Sequence, residues 1–258
     1  LRAKPENNFS LVAPHLEDLV ALSKEEADLR GYKKDPYDAL LDQYEWGGEV
    51  FWVEPLLKEL LFKVKSSTQT KKKFPMPVVE QQTLCTKIIN QLGLSSETSR
   101  LDSSAHPFCT TIGVGDYRIT TRYDPDNLFS SLFSTLHEAG HCLYEAGLNS
   151  DQRGLPRGEA VSLGVHESQS RFYENIIGRS KEFCSFLSRV TGINDSDIYN
   201  EVNFVSPSLI RVEADEVTYS IHIVIRFLLE LALLKGELTV QDLPSAWNEL
   251  YEKHLGLK

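Results

Sequence analysis

The sequence is poor in cysteine and poorer still in methionine. Its 258 residues hold four cysteines, Cys85, Cys109, Cys142 and Cys184, widely spaced and without a C-x-x-C pair. That excludes a disulfide framework and favours free thiols in a reducing, cytoplasmic setting. Positive charge is also in deficit, since 27 Lys and Arg against 37 Asp and Glu leave a net charge of −10. This balance argues against nucleic acid or an anionic membrane as a partner, and the basic run Lys71 to Lys73 reads as a solvated loop. No apolar stretch is read as approaching the roughly 20 residues of a membrane span, and no signal-peptide pattern opens the chain, so a soluble protein is expected. No internal repeat is visible. The single methionine, Met76, and the opening Leu1-Arg2 point to a partial chain of a longer product.

What remains is an ordinary globular composition, 41% hydrophobic and 25% charged, sufficient for a substantial core. Inside the apolar run Leu128 to Leu143 stands His137-Glu138-Ala139-Gly140-His141, an H-E-x-x-H motif. Residues four apart share a helix face, so His137 and His141 can bind one Zn²⁺ while Glu138 stays available to a nearby water as a base. The surroundings suit a helix. Asp126 or Asn127 can cap its start, Leu128, Leu132, Leu136 and Leu143 recur at helical spacing, and Gly147 falls where a helix end favours glycine. Cys142 follows a ligand but points about 100° away, and reads as a buried thiol.

An open zinc site needs a third protein ligand. The extended metzincin pattern fails, because it needs glycine at the place of Tyr144 and histidine at the place of Gly147. The alternative is a glutamate on a following helix, for which Glu159, Glu167 and Glu174 compete. Glu167 is preferred: Ala160, Gly164 and Ser168 form a small-residue stripe that would let its helix approach Gly140 closely. Two neutral imidazoles and one carboxylate suit zinc, with Co²⁺ or Mn²⁺ as possible substitutes.

Helices are expected over Ser10 to Arg30, from Pro36 to Gly47-Gly48, over Glu49 to Lys65 and over Val78 to Leu92, with a loop or domain junction from Ser66 to Pro77. Leu94 to Gly115 looks irregular. The one convincing strand runs from Asp116 to Tyr123, where Tyr117, Ile119, Thr121 and Tyr123 alternate with Arg118, Thr120 and Arg122. Its edge could pair with an extended peptide across the metal. Further helices are expected over Lys181 to Val190, after an Asp195 or Ser196 cap, from Ser206-Pro207 through Asp215, over Thr218 to Lys235 and over Leu243 to His254. The chain therefore reads as mainly α-helical with a small β-sheet edge. Residues 1–77 form an N-terminal helical segment and 78–258 the zinc-binding region, in effect one continuous domain.

Five segments in order, His106-Pro107-Phe108, Asp116-Tyr117-Arg118-Ile119-Thr120, His137 to His141, His166-Glu167-Ser168-Gln169 and Ile210-Arg211-Val212-Glu213-Ala214-Asp215, resemble the thermostable carboxypeptidase (carboxypeptidase Taq) family of zinc metallocarboxypeptidases. The similarity runs from about Pro36 to Gly256. It implies a helical, gluzincin-like fold with a deep cleft, zinc on His137, His141 and Glu167, removal of single residues from peptide C-termini, and a homodimer. Members of that family carry further helices ahead of this chain's start and a G-x-x-Q-D-x-H-W segment after its end, so the chain is expected to lack both.

A carboxypeptidase must also bind its substrate's free α-carboxylate, for which a planar guanidinium is suited. Arg211 is the first candidate, Arg118 the second, and His106 a further substrate contact. His166, Asp116 and Asp215 are candidates for hydrogen-bond support around the ligands, though His106 and His166 fit a core role equally well. His222, within an apolar helix, reads as a core histidine. Two other readings use the same residues: an endo-acting zinc oligopeptidase, and a non-catalytic metal-binding or interaction module.

Overall fold

The computed structural model describes residues 3, 5–48 and 72–257. The helix expected over Glu49 to Lys65 lies outside them. The chain falls into two compact units, Leu1–Ser67 with Val205–Lys258, and Thr68–Phe204. The C-terminal stretch therefore groups with the N-terminal one.

In the first unit, α1 (Ala13–Arg30) ends at Gly31, whose φ of 79° only glycine adopts readily. Helix α2 (Pro36–Leu41) is capped by Asp35, whose side chain accepts from the Tyr37 backbone N–H. The second unit opens its regular structure with α3 (Val78–Gln91). Three strands follow: β1 (Ser99–Ser103), β2 (Phe108–Gly113) and β3 (Asp116–Thr121).

The sheet order is β1-β3-β2, with β1 parallel and β2 antiparallel to β3. Two expectations are corrected here. The stretch taken as irregular contains two strands, and β3, expected to offer an edge, has both edges hydrogen-bonded. Its Tyr117 and Ile119 are buried against Ala139 and Cys142 of α4 (Leu128–Gly147), the helix that carries the motif. Among the described residues the sheet's outer edges therefore belong to β1 and β2.

Helix α4 is fixed at its start by buried polar groups. Gln81 of α3, fully buried, donates from Nε2 to the carbonyls of Met76 (2.8 Å) and Asp124 (2.6 Å), and its Oε1 accepts from Ser131 Oγ (2.6 Å). Asn127 sits at the N-cap position without a side-chain capping bond. The apolar face of α4, Leu128, Leu132 and Leu136, packs with Leu84 and Ile88 of α3 and with Leu187 and Ile198 further on.

After α4 come α5 (Leu163–Arg171) and, without a break, a π-helical turn over Phe172–Ile177. Helices α6 (Lys181–Thr191) and α7 (Asp195–Val202) complete the unit. The cap of α7 is Asn194, whose Oδ1 accepts from the backbone of Ser196 and Asp197, rather than Asp195 or Ser196.

Back in the first unit, the helix expected from Ser206-Pro207 is only a 3-10 turn over Arg211–Glu213. Asp215 interrupts it and caps α8 (Glu216–Lys235), accepting from the Val217 and Thr218 backbones. The last helix is α9 (Leu243–Leu255). Ile221, Ile225 and Leu229 of α8 pack on Tyr251 and Leu255 of α9, and His222 lies fully buried among them with Nδ1 bonded to Tyr251 Oη at 2.8 Å. By length and composition α8, at mean hydropathy 1.8, is long and apolar enough to cross a membrane, contrary to the expectation that no stretch approaches such a span.

Candidate metal centre

His137 and His141 project one turn apart from the same face of α4, their rings 4.9 Å apart. The third group comes from α5. Glu167 Oε2 lies 3.7 Å from His137 Nε2 and 3.3 Å from His141 Nε2, and one ligand atom from each residue falls within 4.8 Å of the other two. Among the described residues this is the one such cluster of His, Cys, Asp and Glu.

The helices can meet so closely because of Gly140. A Cβ there would stand 2.6 Å from Ser170 Cα and 2.8 Å from the Gln169 carbonyl oxygen. Ser170, fully buried, is the residue that rests on the bare glycine. The expected stripe of Ala160, Gly164 and Ser168 is not the contact: Ala160 precedes α5, and Gly164 and Ser168 are exposed. The reason for preferring Glu167 is thus replaced by another, two residues along the same helix.

Each imidazole is held from behind. Glu174 Oε2, on the π-helical turn, accepts from His137 Nδ1 at 2.8 Å, which leaves the Nε2 lone pair directed at the cluster. His141 Nδ1 meets His166 Nδ1 at 2.6 Å, and His166 Nε2 meets Glu145 Oε1 at 2.8 Å. Arg171 ties the two acidic arms together, donating from Nε to Glu167 Oε1 (3.0 Å) and from Nη1 to Glu174 Oε2 (2.9 Å). Those bonds occupy the far oxygen of Glu167 and leave Oε2 facing the histidines.

The electrostatics follow from burial and from these pairs. Burial pushes the Glu138 carboxyl up, against the pull of His137 and His141. Burial acts on Glu167 in the same sense, but the neighbouring His141 and His137 imidazoles and the Arg171 guanidinium outweigh it and hold the group down at about 2. Glu174 is lowered for the same kind of reason, with burial overcome by His137 and Arg171. For His137, burial disfavours the proton, yet Glu174 and the neighbouring carboxylates prevail and raise it.

Glu138 is buried, 8% exposed, whereas the Glu167 side chain is 44% exposed. The cluster therefore opens to solvent on the Glu167 side, while the neighbouring Glu138 is buried. Two inward lone pairs, one carboxylate oxygen and an open side fit a catalytic divalent cation better than a closed structural site.

The whole chain, residues 1–258, matches the family described as "Carboxypeptidase Taq (M32) metallopeptidase". The chain belongs to this family. Thermostable carboxypeptidase 1 of Thermus thermophilus is 45% identical over 99% of this chain and 56% of its own length. Carboxypeptidase 1 of Bacillus subtilis is 39% identical, over 99% and 55%. The crystal structure of the M32 carboxypeptidase from Deinococcus radiodurans superposes with a TM-score of 0.89 at 36% identity, covering all of this chain and 56% of that one. The chain thus spans little more than half the length of the carboxypeptidase Taq relatives it matches.

Of the other expected site residues in this unit, His166 meets His141, whereas Asp116, Arg118 and His106 make their contacts elsewhere. Asp116 and Arg118 pair with each other, at 2.5 and 2.9 Å, and strand alternation puts them on the face of β3 opposite Tyr117 and Ile119. His106 is exposed in the turn between β1 and β2, where its carbonyl accepts from Thr120 Oγ1 at 3.4 Å. Asp215 spends its oxygens on capping α8 and on Thr218 and Ser206. Arg211 lies in the first unit and donates to Tyr219 Oη at 2.7 Å. Sequence reasoning missed Glu145, Arg171 and Glu174 as supporting groups. The H-E-x-x-H-x-x-x-E spacing from His137 to Glu145 was the one available signal, since it puts Glu145 one turn beyond His141 on the same face.

Proposed function

We propose that this chain carries the catalytic metal centre of a metallocarboxypeptidase that removes single residues from peptide C-termini. One zinc ion per chain is held by His137, His141 and Glu167. The convergence of their ligand atoms, with both imidazoles turned inward by partners behind them, is the observation that carries the reading.

An ion at this point supplies Lewis acidity, which acidifies a water and polarises the scissile carbonyl. Glu138, one residue along from the first ligand, takes the water's proton and delivers it to the nitrogen of the leaving amino acid as the C–O bond forms and the C–N bond breaks. Its burial strengthens that exchange by keeping bulk water from competing for the proton. The outer edge of β2, unpaired among the described residues, offers backbone hydrogen bonds to the extended peptide. Arg211 is the group assigned to the substrate's terminal carboxylate, ahead of Arg118, whose guanidinium is already matched to Asp116. Homodimerisation is part of the same reading and is tested by size-exclusion chromatography with light scattering.

The reading is tested with the zinc-loaded chain, one peptide and its C-terminally amidated twin, with products identified by mass spectrometry. Release of the last residue from the free acid alone is expected. Cleavage of the amidated peptide at an internal bond would assign an endo-acting oligopeptidase instead. Zinc binding without cleavage of either peptide would assign a metal-binding module.

A further inference from the structure

What stands behind His141 differs from what stands behind His137. A carboxylate takes the His137 proton directly, whereas His141 Nδ1 faces another ring nitrogen, His166 Nδ1, at 2.6 Å. Two facing imidazole nitrogens make a hydrogen bond only when one of them carries hydrogen and the other a lone pair. The choice is made one bond further out. An ionised Glu145 carboxylate can only accept, so the 2.8 Å contact places hydrogen on His166 Nε2. A neutral His166 then presents a lone pair at Nδ1, and His141 Nδ1 must be the donor. His141 Nε2 is left bare, 3.3 Å from Glu167 Oε2. The opposite order of protons would put hydrogen on His141 Nε2 and close it to a cation.

The far end of the line is anchored. Glu145 Oε2 accepts from Thr111 Oγ1 of β2 at 3.3 Å, and the Tyr144 ring stands edge-on to His166 at 4.9 Å, which limits rotation of the imidazole. Thr111, Glu145, His166 and His141 therefore form one hydrogen-bonded line from the outer strand to the metal cluster.

We propose that His166 and Glu145 are positioning residues that fix the proton of His141 on Nδ1 and so hold its Nε2 ready for the metal. The inference rests on the metal-centre reading above. It is tested by zinc affinity from chelator competition, with the visible spectrum of the Co²⁺-substituted protein as a report on ligand geometry. His166→Leu should weaken zinc about 10- to 100-fold, the usual cost of removing such an outer partner, and should alter the Co²⁺ bands. His166→Gln should recover most of the loss, because its amide oxygen can accept from Nδ1. Circular dichroism of the metal-free variants checks folding; should His166→Leu fold poorly, Glu145→Ala carries the test, with several-fold weaker zinc expected. Wild-type affinity and spectrum in folded His166→Leu or Glu145→Ala would overturn the proposal. So would equal losses in the Leu and Gln variants, which would mark His166 as packing alone. His141→Ala separates the two levels: if it kept full affinity, the metal-centre reading itself would fail.

Discussion

Gly140→Ala is the smallest change that should pull the metal cluster apart. The added methyl would stand 2.6 Å from Ser170 Cα and 2.8 Å from the Gln169 carbonyl oxygen, both backbone atoms of α5, so no side-chain tip can swing aside. Ordinary contact near 3.4 Å requires α5 to retreat by about 0.8 Å. Overpacking of this kind costs about 1–3 kcal/mol, and a backbone clash belongs at the upper end. Alanine's helix preference over glycine returns about 1 kcal/mol. A net loss of about 2 kcal/mol corresponds to a melting temperature roughly 4–8 °C lower. Zinc affinity is the sharper readout. Glu167 sits three residues before Ser170, and a shift near 0.8 Å exceeds the roughly 0.5 Å within which such a site tolerates misplacement. Chelator competition should show zinc binding at least about tenfold weaker, the scale on which metal sites respond to disturbed support. Gly140→Ala with wild-type melting temperature and wild-type zinc affinity would refute the claim that this contact sets the cluster.

Gln81→Leu should lower the melting temperature by roughly 6–12 °C: it strands the Met76 carbonyl and removes one of two partners from the Asp124 carbonyl and from Ser131 Oγ, at about 1 kcal/mol for each of three bonds. Calorimetry decides it, and a change under about 2 °C would mean that water replaces the amide. In the metal-free protein, Glu167 is held down at about 2, so its contribution to stability is complete above the ordinary glutamate range near 4.5 and disappears as pH falls from there toward 2. Glu167→Gln should flatten the acid melting curve in that window, and an unchanged slope would count against the pairing with His141 and Arg171. Arg211→Lys should impair hydrolysis of peptides with a free C-terminus, because an ammonium cannot reproduce the bidentate fork. A lowered melting temperature with unaltered preference for free over amidated peptide would return Arg211 to a structural role beside Tyr219.

How far the sequence reached depended on whether a signal was local. The H-E-x-x-H helix was legible because capping, leucine spacing and ligand spacing all lie within α4. Glu167 was reached through a stripe that turned out to be solvent-exposed; the real contact, Ser170 on Gly140, depends on the rotation of α5, which nothing local specifies. Strand β3 showed the alternation of a half-buried strand, whereas β1 and β2, Ser99-Arg100-Leu101-Asp102-Ser103 and Phe108-Cys109-Thr110-Thr111-Ile112-Gly113, carry no regular alternation of apolar and polar residues. Their pairing on both sides of β3 is what overturned the edge assignment. Glu174 competed only as a third ligand, and its place behind His137 had no local signal. The π-helical turn changes the register after Arg171 and lets Glu174 reach His137.

Zinc content per chain, measured by elemental analysis after dialysis against a zinc buffer, tests the central claim most directly when wild type, Glu138→Gln and Glu167→Ala are compared. One zinc should remain in the wild type and in Glu138→Gln, since Glu138 acts on water and not on the metal. Glu167→Ala should lose it. A full zinc complement in Glu167→Ala, or loss of zinc from Glu138→Gln, would contradict the assignment of ligands and base.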